Sequence, residues 1–282
     1  MKLYVVIPAH NEEENISKTL QSLVEQTHLP SKIIVVNDNS TDNTQSIVNS
    51  FSEKYTFIES INNTSSAQNI PGSKVINAFK KGMKVLDDDF DVICKFDADL
   101  IFPNNYIETI QTIFTNNKNC GMAGGFCYIE KNDIWVLENL TNKDHIRGAL
   151  KAYRKECFYD IGGLKSEMGW DTVDELLAQY HGWEIYTDES LEVKHLKPTG
   201  NAYSKKAKYK QGEAFYKMRY GIVLTKIASL KLALKKRNAL FYLNSIIGFL
   251  KAFFNRSPFL VNKEEGRFIR KHRWKNILKK IF

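Results

Sequence analysis

The sequence is poor in cysteine: four residues, Cys94, Cys120, Cys127 and Cys157, with no CxxC pair among them. That spacing argues against a zinc site and against a disulfide framework, and predicts buried thiols in a reducing compartment. The long apolar core of a signal peptide is also missing, because "MKLYVVIPAHNEEENI" turns acidic almost at once. Export is not expected. The most apolar segment after Pro198 holds an uncharged run from Asn238 to Leu250, shorter than the roughly 20 residues a bilayer span needs. Internal repeats and low-complexity linkers are absent, and no nucleic-acid-binding motif accompanies the basic residues. The early loop "PAHNEEEN" is not the glycine- and arginine-rich phosphate loop of a sugar nucleotidyltransferase, and no candidate covalent nucleophile stands out.

Acidic residues are scarce in one region. Residues 197–282 carry 22 Lys+Arg against 3 Asp+Glu, a balance of +19, whereas residues 1–196 carry 18 against 29, or −11. The net charge of +8 is therefore an acidic body joined to a basic C-terminal part, which implies an anionic partner for the latter.

What is present alternates. "LYVVIP" and "SKIIVVND" read as buried β-branched strands, "YTFIES" as a further strand, and "FDVICKF" as another. Between them lie the helical patterns "NEEENISKTLQSLVEQ", capped by Asn11 with an acidic first turn, "STDNTQSIVNSF", capped by Ser40 or Thr41, and "GSKVINAFKKGMKVL". This order predicts a mostly parallel sheet flanked by helices, with ligands beyond the carboxyl ends of its strands. The polar clusters "AHNEE", "NDNSTDNT" and "DADL" all fall at such ends. Further on, "GALKAYRKECFYDIGGL" suggests a helix closing on Gly162-Gly163, "DTVDELLAQYHGW" a helix, and "EIYTDESLEVKHLKP" strand, turn and strand. Basic amphipathic helices follow Pro198.

Asp97 and Asp99 can share a hard divalent cation if a tight turn aims both carboxylates the same way; otherwise they are a solvated turn. The alternation of Asp38, Ser40 and Asp42 resembles a calcium loop but fails at Asn43 and Asn49, where glycine and glutamate are required. Ser40 and Asp42 then suit helix capping, leaving Asp38 at a strand tip to hydrogen-bond a base or ribose edge.

In that order, "VVIPAHNEEENI", "IIVVNDNSTDNT", "KFDADLIFPNNYIE" and "GWDTVDELLAQYHGW" resemble the family 2 glycosyltransferases of GT-A fold, over roughly residues 1–200. The resemblance implies a Rossmann-like, mixed and mostly parallel sheet for residues 1–200, with residues 201–282 as a basic helical extension. It implies an inverting enzyme that moves a sugar from a nucleotide-diphosphate sugar, UDP-linked by preference, to an acceptor hydroxyl in polysaccharide or glycolipid assembly. Pro8, Ala9, His10, Glu12, Asp38, Lys74, Asn77, Asp97 and Ala98 would border the donor. Asp97 and Asp99 would hold Mg²⁺ or Mn²⁺, with His195 as a third ligand, as a contact to the diphosphate, or as a strand-end histidine bonded to backbone. Asp171 is the first choice for the base that deprotonates the acceptor, with Asp174 and Glu175 as alternatives. Trp170 and Arg147, the latter beside His145, would lie on the acceptor side. The family's "DDGS" is "NDNS" here, so Asn37 replaces an aspartate and Asn39 stands where glycine tolerates positive φ. Leu240, Leu243, Ile247, Leu250 and Phe254 repeat at helical spacing. They suit either a helix lying on an anionic membrane at the cytoplasmic face, near a lipid-linked acceptor, or a helix packed on the body.

Overall fold

The β-branched runs become adjacent strands because each is apolar on both faces and must be covered twice. In the computed structural model, which describes residues 1–64, 72–138, 144–197 and 208–279, β1 (Leu3–Ala9) pairs in parallel with β2 (Lys32–Asp38). β3 (Ile58–Asn63) continues outward from β2, and β4 (Val92–Phe96) lies on the other side of β1, both parallel. The crossovers carry α1 (Ile16–Val24), α2 (Thr44–Lys54) and α3 (Ser73–Met83). Beyond β4 come the short β5 (Leu100–Ile101), α4 (Tyr106–Asn116), β6 (Cys120–Lys131), β7 (Ile134–Leu137), β8 (Leu150–Arg154), α5 (Lys155–Asp160), α6 (Trp170–Tyr180) and β9 (Glu184–His195). The nine-stranded sheet runs β3-β2-β1-β4-β8-β6-β9-β5, with β7 on β6. β8 enters antiparallel between β4 and β6, so the sheet is mixed and mostly parallel. All four cysteines are buried free thiols.

Three expectations need correction. The helix expected from Gly148 to Gly163 is a strand as far as Arg154 and helical only over Lys155–Asp160. Pairing on both edges buries Leu150, Lys151, Ala152 and Tyr153, and that tertiary gain overrides a helix-compatible sequence. The strand–turn–strand expected after Trp183 is one strand, β9. Its turn is absorbed as a register shift between Gly124 opposite Thr187 and Phe126 opposite Glu192, and Asp188 takes the Ser190 N–H there. Lastly, none of Asn11, Ser40 and Thr41 caps a helix, whereas Asp42 Oδ1 does accept the Thr44 N–H at the start of α2. The β1–α1 and β2–α2 loops lie side by side and satisfy each other's amides: Asn11 N–H donates to Ser40 Oγ, Glu12 N–H to Thr44 Oγ1, Glu13 N–H to Asp42 Oδ2, and Thr41 N–H to Asn11 Oδ1. The acidic residues 12–14 therefore precede α1 rather than form its first turn.

The C-terminal part is helical: α7 (Lys210–Lys217), α8 (Gly221–Lys235), α9 (Ala239–Phe254) and α10 (Lys263–Leu278). α7 and α9 touch backbone to backbone, since a methyl on Gly212 would sit 1.7 Å from the Ser245 carbonyl oxygen and one on Gly248 2.0 Å from that of Tyr209. α10 begins with an Asn262–Glu265 capping box and reaches the body, where Phe268 meets the Tyr180 ring edge-on at 5.6 Å. The expected boundary between residues 200 and 201 lies outside the described residues. Among the described residues no helix is long and apolar enough to cross a membrane.

Candidate active site

The parallel strands β1, β2 and β4 end together, and the polar clusters that follow them enclose a cleft of about 270 Å³. Pro8, Ala9, His10, Glu12, Asp38, Lys74, Asp97, Ala98 and Asp99 line it, with Val75 and Ala78 of α3. Asn77 does not reach the lining; it sits on an outer face of α3 with its amide toward Ser73. Asp38 Oδ1 accepts from Asn63 Nδ2 at 2.8 Å, and the His10 ring nitrogen Nδ1 lies 2.6 Å from the Asp38 carbonyl. Asn37 is engaged by its own loop and neighbours, Gln45, Asn62 and the Ser40 N–H. Asn39 adopts φ +56°, the left-handed conformation its replacement of glycine requires. Glu12 bonds Lys197 Nζ at 2.7 Å; burial raises its carboxyl, helped by the Asp99 charge and opposed by Lys197 and Asn15.

The turn that aims both aspartates into the cleft is held from three sides. Thr19 of α1 donates to the Ala98 carbonyl and accepts the Leu100 N–H, Asp97 N–H donates to Ala149 O, and Leu196 N–H donates to Asp99 O. Lys95, almost fully buried, pairs with Asp97 Oδ1 and donates to Gly148 O at 3.0 Å. His195 Nε2 lies 3.5 Å from Asp99 Oδ2, and its Nδ1 lies 3.2 Å from Glu138 Oε2. The same Glu138 oxygen receives Arg147 Nη2 at 3.2 Å. Burial alone would depress the His195 imidazolium, but Asp99 and Glu138 outweigh it and push it up to about 9. Two hard carboxylates, with an imidazole that could ligate through Nε2 once it gives up that proton, are a donor set suited to Mg²⁺ or Mn²⁺. Cys127, Glu138 and His195 also bring ligand atoms within 4.8 Å of one another, but burial holds the Cys127 thiol well above its usual range and so protonated.

Beside this turn a second acidic group surrounds one buried lysine. Lys151 Nζ donates to the Asp171 carbonyl at 2.6 Å, to Asp174 Oδ1 at 2.9 Å and to Glu175 Oε1 at 2.9 Å, satisfying all three donors. Tyr153 donates to Asp174 Oδ2, and Glu175 accepts from Ile146 N–H and meets His145 Nδ1. Lys95 and Lys151 are directly opposite in the β4–β8 pair, and the Trp170 ring lies 5.4 and 5.9 Å from their ammonium groups. Trp170 is thus buried behind the cleft. Of the three carboxylates only Asp171 is substantially open, its side chain 34% exposed against 2% for Asp174 and 10% for Glu175. Burial would raise Asp171, but His145, 3.7 Å away, together with Lys151 and Arg147 pulls it down to about 2. Gly148 joins the two groups: its carbonyl takes Lys95, and a methyl on it would meet Asp171 Cβ at 3.2 Å and Trp170 at 2.8 Å.

Two expected results follow from the burial. Lys151→Met keeps the bulk but strands two buried carboxylates, and a loss of about 3–5 kcal/mol is expected in a urea melt; a loss below 1 kcal/mol would mean the carboxylates protonate at little cost. His145 is raised to about 9 by Asp171 and Glu175 against its burial, so the folded state retains its proton where the unfolded chain, near 6.5, releases it. Its stabilisation, on the order of 3 kcal/mol, is complete below pH 6.5 and should disappear as pH rises through about 9. A melting series from pH 6 to 10 should show a slope in both proteins, since His195 is raised to about 9 as well, and a steeper one in the wild type than in His145→Gln by the His145 contribution.

Residues 4–164 match the model of Glycosyl transferase family 2, more than half of the chain. A "Probable glycosyltransferase YdaM" of Bacillus subtilis is 44% identical over 105 residues, covering 35% of this chain and 23% of the relative. A poly(ribitol-phosphate) beta-glucosyltransferase of Bacillus spizizenii is 36% identical over 129 residues, 44% of this chain and 20% of the relative. The chain thus spans only a fraction of the length of these curated relatives. Among solved structures, the mannosyltransferase PcManGT of Pyrobaculum calidifontis with GDP-Man and Mn²⁺ has a TM-score of 0.59 at 13% identity, covering 98% of this chain and 80% of that one. TarS 1-349 of S. aureus with UDP-GlcNAc has 0.57 at 19%, covering 95% and 78%. These two establish the fold as that of GT-A glycosyltransferases.

Proposed function

Since the chain belongs to glycosyl transferase family 2, we propose that it moves a sugar from a nucleotide-diphosphate sugar to an acceptor hydroxyl with inversion. The observation that carries this reading is the convergence of Asp38, Asp97 and Asp99 on one cleft, with Asp171 tied to its wall through Gly148. In this reading Asp38, with Pro8, Ala9 and His10, receives the nucleoside, and Lys74 and Ala98 border the diphosphate. Asp97, Asp99 and His195 would hold Mg²⁺ or Mn²⁺, whose charge would stabilise the departing diphosphate. Glu138 fixes the His195 ring and Arg147 with one oxygen. Asp171, open and ionised, takes the acceptor proton as the hydroxyl attacks the anomeric carbon from the opposite face. Displacement in a single step inverts that centre.

The two fold neighbours carry different nucleotides, GDP and UDP, so the base is set by local contacts; a UDP-sugar is the preferred donor. An acceptor in polysaccharide or glycolipid assembly accords with the relative named for a poly(ribitol-phosphate) and with the basic C-terminal part, which favours work at the inner face of an anionic membrane. A panel of nucleotide sugars, scored by thermal stabilisation with and without Mn²⁺, tests the reading. A metal-dependent rise with one donor is expected; no stabilisation by any nucleotide or nucleotide sugar would overturn it.

A further inference from the structure

Helix α8 is apolar on two faces. Leu224, Thr225, Ser229 and Ala233 are buried against the protein. On the opposite side Val223, Ile227, Leu230 and Leu234 recur at helical spacing as a second stripe, exposed to water, Leu234 to 70%. The helical spacing sets Lys226 on one flank of this stripe and Lys231 and Lys235 on the other. The turn Lys236-Arg237-Asn238 leads into α9, where Ser245, Gly248, Phe249 and Ala252 are buried. Its outer residues Leu240, Leu243, Ile247, Leu250 and Phe254 are all exposed, Phe254 to 75%. The α9 repeat is therefore not core, and it has a companion on α8 that no spacing argument from α9 contains.

Isolated exposed leucines are ordinary; nine exposed apolar side chains in stripes on two consecutive helices are not. Residues 221–256 hold seven Lys+Arg and no Asp or Glu. We infer that the α8–α9 hairpin is a landing surface for an anionic lipid bilayer, its two stripes entering the acyl boundary while the flanking lysines meet headgroup phosphates. The charge pattern selects this occupant. A second copy packed face to face would set seven positive charges against the same seven, whereas an anionic leaflet neutralises them. Neither helix can span the bilayer, so the contact is interfacial. The inference deepens the proposed function, resting on it only for the purpose of bringing the cleft to a membrane-borne acceptor.

The test is cosedimentation of the full chain with vesicles of phosphatidylcholine alone or mixed with phosphatidylglycerol, at low and high salt. Binding is expected to the mixed vesicles and to weaken with salt. Leu230→Glu with Leu234→Glu, both at exposed sites, should weaken it at least about tenfold with an unchanged melting temperature. Lys226→Gln, Lys231→Gln and Lys235→Gln together should lose about fivefold per lysine. Wild-type protein that ignores the mixed vesicles at low salt overturns the inference. So do leucine variants that bind like wild type, or a lipid-free dimer that these variants dissociate. Vesicle binding is read without donor, and donor stabilisation without lipid, so failure of the landing surface and failure of the transferase reading are separable.

Discussion

Asp171→Asn is expected to lower turnover by about 10²–10⁴-fold, the usual contribution of a positioned base, while donor binding stays at the wild-type level. The amide keeps the shape of the carboxylate but cannot accept a proton. The prediction singles out Asp171 because its neighbours are spoken for: Asp174 answers Lys151 and Tyr153, and Glu175 answers Lys151, His145 and the Ile146 amide. Asp174→Asn or Glu175→Gln should instead appear mainly as lost stability. With its carboxyl drawn down to about 2 by His145 against its burial, Asp171 stays ionised throughout the neutral range, so a fall of turnover on the acid side above pH 4 would belong to another group, such as the His195 imidazolium. Should Glu175→Gln abolish turnover in a protein that melts normally, the base is misassigned.

Asp99→Asn should reduce activity by on the order of 10³-fold, the scale of removing one partner of developing transition-state charge, and should abolish any Mn²⁺ dependence of donor binding. The backbone support of residue 99 is independent of its charge, since its carbonyl still accepts the Leu196 N–H; the variant should therefore fold. Titration of Mn²⁺ by electron paramagnetic resonance, with nucleotide present, reads the loss directly. Full activity in excess chelator, or metal binding unchanged in the variant, would remove the metal from the mechanism.

Strand ends and loop chemistry were readable because they are local. A β-branched run closed by proline, or an asparagine standing where positive φ is needed, announces itself within a few residues, and Asp97 and Asp99 are separated by one. What the sequence could not announce depends on partners brought from afar. Lys95 reads as an ordinary strand lysine and Lys151 as a helical one; their burial beside carboxylates depends on Asp97 on a turn and on α6, whose Asp171 lies twenty residues beyond Lys151. Glu138 ends an unremarkable strand, and only the fold sets its oxygen between His195 and Arg147. Leu150–Arg154 reads as helix until two neighbouring strands claim its edges. Helix α8 hid its outer stripe for a different reason: apolar residues on both faces cancel the periodicity that marks an amphipathic helix.

The lysine pair has a consequence for how this chain can tolerate length changes. Lys95 and Lys151 stand opposite each other on neighbouring strands, yet each finds its carboxylates on a different segment. A deletion of one residue within β8 would turn Leu150 or Ala152 toward Asp174 and Glu175 and drive the ammonium group to the other face of the sheet. Apolar burial alone would barely register the slip, since both faces of β8 are covered. The two cations thus act as alignment marks for the strand pair. Single-residue deletions between Leu150 and Arg154 should therefore be selected against, which a deletion scan scored by soluble yield would expose.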